Sequence, residues 1–309
     1  MKKKLLALFP SFVGILFFII AVIVLHRELK RFDFHKVISY ISQLPLWRLL
    51  LSLFFCILSY SVICINEALL FKHIKYSLPF RKIAFVSFIS TAISHNIGYS
   101  IISAGSLRYR YYKPMGVSMI DITTFIGLHG LFFWIGFFLL GGSIFLIKPL
   151  PISPSLHLPF NNSILIAILF LMLFTLFYFA VFKKFSFKIR SWTFSLPNFK
   201  LSTFLVLTSI LEWCFAGSAL YILLPSALKV TLFFSLGIYL LAQILGVGSQ
   251  VPGGLGVFET VFMGLLGFGA HAPSVLGALL VYRGFYYLLP LIISAILMAL
   301  YEFIPGRRN

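Results

Sequence analysis

Apolar residues occupy long stretches at Leu5–Leu25, Trp47–Phe71, Ile83–Ser103, Met119–Ile147, Ser163–Phe182, Leu201–Leu224, Val230–Gly246, Leu255–Gly269 and Ser274–Tyr301. Several exceed the ~18 residues that mark a helix crossing hydrocarbon. The polar links between them are too short to fold as a soluble domain. The pattern therefore predicts an all-α, polytopic integral membrane protein, with residues 1–309 as a single membrane domain. The clearest loop, Pro149–Asn162, is rich in proline, serine and asparagine and falls near the middle of the chain.

Two of the stretches are interrupted. In the run Val251-Pro252-Gly253-Gly254-Leu255-Gly256-Val257-Phe258-Glu259, one proline and three glycines break any helix. Hydrocarbon offers no water to free peptide groups, so such a break survives only where it is buried or lines a cavity. At an offset of 148 residues the turn Ser103-Ala104-Gly105-Ser106 falls on Val251-Pro252-Gly253-Gly254, and Gly98, Leu107 and Gly116 fall on Gly246, Leu255 and Gly264. The order of elements repeats as well. These matches predict two inverted repeats, about residues 1–150 and 151–309, with about six full spans and two broken, re-entrant helical hairpins; eight spans is the alternative.

Composition agrees with the membrane reading. Charged residues make up 10% of the chain, against about 25% in soluble domains. The net charge of +18 does not signal nucleic-acid binding, because the cations cluster in short links between apolar stretches, as in cytoplasmic loops. With the first broken segment drawn as a hairpin, Lys2–Lys4, Lys72–Lys82, Arg108–Lys113, Lys183–Lys200 and Arg307-Arg308 share one side, most of the 25 lysines and arginines. Both termini are then cytoplasmic. The N-terminal stretch lacks a small-residue cleavage pattern and is expected to be a retained helix.

Few side chains are left for chemistry. The seven acids are Glu28, Asp33, Glu67, Asp121, Glu212, Glu259 and Glu302. Glu212 and Glu259 lie inside apolar stretches, where a charge costs roughly 2.5–3.5 kcal/mol and normally faces a partner or cavity. The matching cation is Arg283, the one Arg or Lys deep inside a predicted span, with Tyr286 and Tyr287 near its helical face. Two readings stand side by side: an ion pair of Arg283 with Glu212 or Glu259 that only joins helices, or a cation kept for an anionic headgroup, which a guanidinium binds bidentately. The Pro252–Gly256 turn is likewise either a hairpin tip or a source of free amides aimed at an anion. Asn96 precedes the first turn, and Arg108, Arg110 and their tyrosines follow it, as an interfacial anchor or a headgroup entry point. His129 is expected to make a buried hydrogen bond. Cys56, Cys64 and Cys214 form no CxxC, so neither disulfide nor zinc site is indicated. No nucleophile elbow, P-loop or dinucleotide fingerprint occurs, and neither catalytic residues nor cofactors are predicted.

The VPGGLGVFE run, Ser94-His95-Asn96 with Ser106-Leu107-Arg108-Tyr109-Arg110, and Tyr282-Arg283-Gly284-Phe285-Tyr286-Tyr287-Leu288-Leu289-Pro290 resemble the membrane part of lysylphosphatidylglycerol synthases. That part is the flippase region of the bacterial multiple peptide resistance factor. The resemblance covers nearly the whole chain. It implies a flippase moving an anionic or aminoacylated phosphatidylglycerol-type lipid across the bacterial cytoplasmic membrane. In the full-length relatives a soluble C-terminal domain makes that lipid; this chain stops at Asn309 and is not expected to synthesise it. The alternative is a non-transporting scaffold for a separately encoded synthase or transferase. For transport, headgroup contacts are assigned to Arg283, Pro252, Gly253, Gly254, Gly256, Glu259, Glu212, Arg108, Arg110, Tyr286, Tyr287 and Asn96.

Overall fold

The computed structural model describes residues 38–39, 42–97, 100–149, 163–189, 192–249, 251–266 and 272–303. The predicted helix Leu5–Leu25, Gly98 and both chain ends lie outside the described residues. The elements in chain order are α1 (Leu46–His73), α2 (Phe80–Ile97), α3 (Ser100–Tyr112), α4 (Met119–Ile147), α5 (Ser163–Phe182), β1 (Ser186–Ile189), β2 (Trp192–Ser195), α6 (Phe199–Tyr221), α7 (Leu232–Gly248), α8 (Val257–Leu266), α9 (Ala272–Arg283) and α10 (Leu289–Phe303). A π-helical segment, Gly284–Leu288, joins α9 to α10. Among the described residues five helices are long and apolar enough to span: α1, α4, α5, α6 and the continuous run Pro273–Glu302. They match five of the six spans that hydropathy marks.

The chain is a multi-pass, all-α membrane protein. Its outer surface is studded with large apolar side chains such as Leu165, Leu176, Phe179 and Ile296, which in water would form a sticky patch and in a bilayer meet acyl chains. Polar starts are capped where the sequence supplies a short oxygen side chain. Ser118 Oγ accepts from Asp121 N at 3.1 Å and Asn198 Oδ1 from Leu201 N at 2.9 Å, each satisfying one of the free amides of a first turn. One departure from the all-α prediction is a small antiparallel hairpin, Phe187 pairing with Phe194, inside the cationic link Lys183–Lys200.

Helices cannot be driven together by hydrophobicity in lipid, so close packing and hydrogen bonds hold them. Between α1 and α6 this takes the form of a ladder. Ser52 Oγ donates to Ala219 O at 2.8 Å, Ser59 Oγ to Glu212 O at 3.3 Å, and Thr208 Oγ1 to Asn66 Oδ1. Residues 52, 59 and 66 are two helical turns apart, which keeps all three on one face. Between α4 and α6 the device is a glycine. A Cβ on Gly136 would sit 2.6 Å from Ser209 Cβ and 3.1 Å from the Ser209 backbone carbon, so the helix could not approach with any larger residue. Gly136→Val is expected to cost about 1–3 kcal/mol by overpacking, read as a lower thermal unfolding midpoint; an unchanged midpoint would show that the crossing yields.

The interrupted segments form two antiparallel helix pairs, α2 with α3 and α7 with α8. The second pair turns through a 3₁₀ turn at Pro252–Gly254. Gly253, Gly254 and Gly256 have φ of 61°, 62° and 80°, left-handed values that glycine alone adopts without cost. A Cβ on Gly253 would stand 3.3 Å from His95 O. The tip of one pair thus abuts the end of the other.

Candidate functional site

At that junction lies the Arg283 guanidinium, on a residue only 8% exposed. Its Nε donates to Glu259 Oε1, and its Nη1 donates to Gly253 O at 3.2 Å. The guanidinium also lies over the Tyr287 ring, 5.2 Å from the centroid, a cation–π geometry. Glu259 reaches the other way with Oε2, which accepts from Gly256 N at 2.8 Å. As the third residue of α8 it closes the helix start as the acid of a capping box does. One carboxylate therefore fixes the turn, starts α8 and neutralises the arginine of α9.

This arrangement decides which acid meets the arginine. Arg283 pairs with Glu259 and not with Glu212. Three of the turn's amides are committed within the chain: Gly254 N donates to Val251 O at 2.8 Å and Leu255 N to Pro252 O at 3.2 Å, and Gly256 N to Glu259 Oε2.

The tyrosines beside Arg283 sit in the π-helical segment, where Leu289 N donates to Gly284 O. Pro290 follows and has no N–H, so the Tyr286 carbonyl loses its helical donor. The Tyr60 hydroxyl replaces it at 3.1 Å. Asn96 Nδ2 donates to Tyr287 O at 3.0 Å and to Ala92 O at 2.7 Å. Both amide hydrogens of Asn96 are thereby engaged with carbonyls, one of them bracing the widened helix. Tyr286 donates or accepts with Ser59 Oγ at 3.1 Å and lies nearly parallel to the His95 and Tyr282 rings, at 5.6 and 5.3 Å. Backbone freed from helical bonding at a π segment commonly marks functional positions.

Arg108 and Arg110 stand apart from this group. Arg108, predicted at the interface, is 5% exposed and donates through Nε and Nη2 to Glu67 Oε1. Glu67, fully buried, also accepts from the Tyr112 hydroxyl at 3.1 Å, and His129 Nε2 lies 3.9 Å from it. Arg283 is thus not the one deeply placed cation, and His129 belongs to a second buried charged cluster. That cluster knits α1, α3 and α4. Arg110 pairs with Glu302 at a partly exposed position, joining α3 to α10. Sequence reasoning left Glu67 without a role, although it shares the α1 face of Tyr60, one heptad earlier; that spacing is the signal that points inward.

A family model described as "Lysylphosphatidylglycerol synthase TM region" matches residues 11–294. An uncharacterized protein of Synechocystis is 32% identical, the alignment covering 99% of this chain and 96% of that protein. The inner membrane protein YbhN of Escherichia coli is 29% identical over 93% of this chain and 90% of its own length. Phosphatidylglycerol lysyltransferase of Staphylococcus haemolyticus is 27% identical over the whole of this chain, which spans 36% of that protein.

Proposed function

The chain belongs to the family of lysylphosphatidylglycerol synthase transmembrane regions, and from that premise we propose that it translocates a phospholipid between leaflets without covalent chemistry. The substrate class is an anionic or aminoacylated phosphatidylglycerol, and the setting is a bacterial cytoplasmic membrane with both termini cytoplasmic. The observation that carries this reading is the Arg283–Glu259 pair, buried where the two interrupted helix pairs meet. The left-handed glycine turn at Pro252–Gly254, set against His95 O of the other pair, supports a re-entrant hairpin whose tip, and with it Arg283, stands at membrane depth. Broken helices meeting near the midplane are how several transporters build substrate sites.

The geometry also supplies an exchange mechanism. A bare guanidinium or carboxylate inside a bilayer is costly, so the resting pair holds each charge against the other. An aminoacylated headgroup brings both signs. Its phosphate takes the guanidinium, for which the planar fork is suited, while its ammonium takes Glu259. Ion pairs are swapped and none is lost, so the headgroup can pass without an uncompensated charge. The Gly253 carbonyl, already 3.2 Å from Nη1, keeps the guanidinium oriented during the swap.

In vesicles containing the purified protein, labelled aminoacylated phosphatidylglycerol is expected to exchange between leaflets much faster than in protein-free vesicles, and faster than a zwitterionic lipid without a free aminoacyl group. Exchange at the protein-free rate would remove the proposal and leave a scaffold for a separate synthase or transferase, whose mark is co-purification with that enzyme.

A further inference from the structure

Glu212 is a deeply buried acid that neither cluster uses. It is the fourteenth of the 23 residues of α6, with about 20 Å of helix before it and about 14 Å after it, and is 4% exposed. Its backbone carbonyl accepts from Ser59. Its carboxyl group, among the described residues, accepts no hydrogen bond and stands in no ion pair. The contrast with its neighbours is sharp, since Glu67 and Glu259 each hold a guanidinium and at least one further donor.

The groups around it offer no counter-charge. The titratable and charged groups within electrostatic range are Tyr60, Cys64 and Glu67 on α1, Arg108 on α3 and Tyr286 in the π segment. Arg108 is already bound by Glu67 through two nitrogens. On α4, Asp121 and His129 turn to Tyr76 and Glu67. On α5, Tyr178 turns to Thr203, and on α7 Tyr239 turns to Tyr282. An ionised carboxylate in such surroundings is among the most expensive things a membrane interior can hold, and a proton is the cheapest remedy.

We propose that Glu212 is a proton-binding site within the membrane, carrying its proton as a neutral acid at rest and releasing it when a cationic headgroup or water reaches the carboxyl group. On release the O–H bond breaks, its electron pair stays on the carboxylate oxygen, and the proton passes to water on the open side; return reverses the step. If the lipid then departs to the opposite leaflet, the cycle couples its movement to a proton. This last clause rests on the transport reading above, whereas the proton site itself does not.

Infrared spectra of the protein in lipid vesicles at neutral pH test the site directly. The wild type is expected to show a protonated-carboxyl band that shifts in heavy water and is missing from Glu212→Gln, a variant with the shape and neutrality of the protonated acid and hence an unchanged unfolding midpoint. No difference in that band, or a shifted midpoint, would overturn the site. In exchange assays a pH gradient is expected to speed wild-type exchange several-fold and to leave Glu212→Gln indifferent. Wild-type exchange insensitive to the gradient would overturn the coupling. No wild-type exchange at all would sink the transport reading and remove the coupling with it, while the infrared result still decides the site.

Discussion

Protein carrying Arg283→Met together with Glu259→Gln, whose amide oxygen still accepts from Gly256 N, will fold and unfold at about the wild-type temperature, yet its lipid exchange will fall to the protein-free rate. The two halves of this result have separate causes. Removing one partner of a buried pair strands the other charge, which costs about 3–5 kcal/mol, whereas replacing both partners by uncharged residues of similar volume strands none. Arg283→Ala alone is thus expected to be both unstable and inactive, and on its own would not distinguish a structural bond from a binding site. The double variant does. Exchange at the wild-type rate in a stable double variant would make the pair mere adhesive between α8 and α9.

The Glu67–Arg108 pair should behave oppositely. It is the more deeply buried of the two, with Tyr112 and His129 around the carboxylate and the guanidinium over the Phe125 ring at 5.7 Å. It joins three helices and no interrupted turn. Arg108→Ala is expected to lower stability by about 3–5 kcal/mol, enough to unfold a large share of a marginally stable protein. Glu67→Met with Arg108→Met should recover most of that loss, measured as the unfolding midpoint in detergent, and exchange lipid at close to the wild-type rate. Loss of exchange in this stable pair would place Arg108 in the transport path, as its sequence position first suggests.

Much of the fold is legible in the chain because hydrocarbon imposes a length. A run such as Met119–Ile147 has few alternatives to spanning, and the structure returns that helix with identical bounds. The break at Pro252–Gly256 is legible for an equally local reason, that three glycines and a proline cannot continue a helix. Arg283 and Glu259 are visible as charges with nowhere else to go, although which acid meets the arginine depends on the turn geometry, and sequence left Glu212 as an equal candidate. Arg108 was misplaced because its neighbours Tyr109 and Arg110 read as an interfacial cluster. Its burial depends on α3 folding back onto Glu67, 41 positions earlier, a pairing that no local pattern encodes. The widened helix at Gly284–Leu288 was hidden for the same reason. Pro290 hints that the Tyr286 carbonyl is left over, but the donor that accepts the task, Tyr60, comes from a distant helix.

The swap of ion pairs is the claim on which the account turns, and a structure determined with an aminoacylated phosphatidylglycerol bound addresses it most directly. The account predicts the lipid phosphate on the Arg283 guanidinium, the amine on Glu259, and the contact between those two side chains broken. A headgroup held elsewhere, with Arg283 and Glu259 still joined, would contradict it.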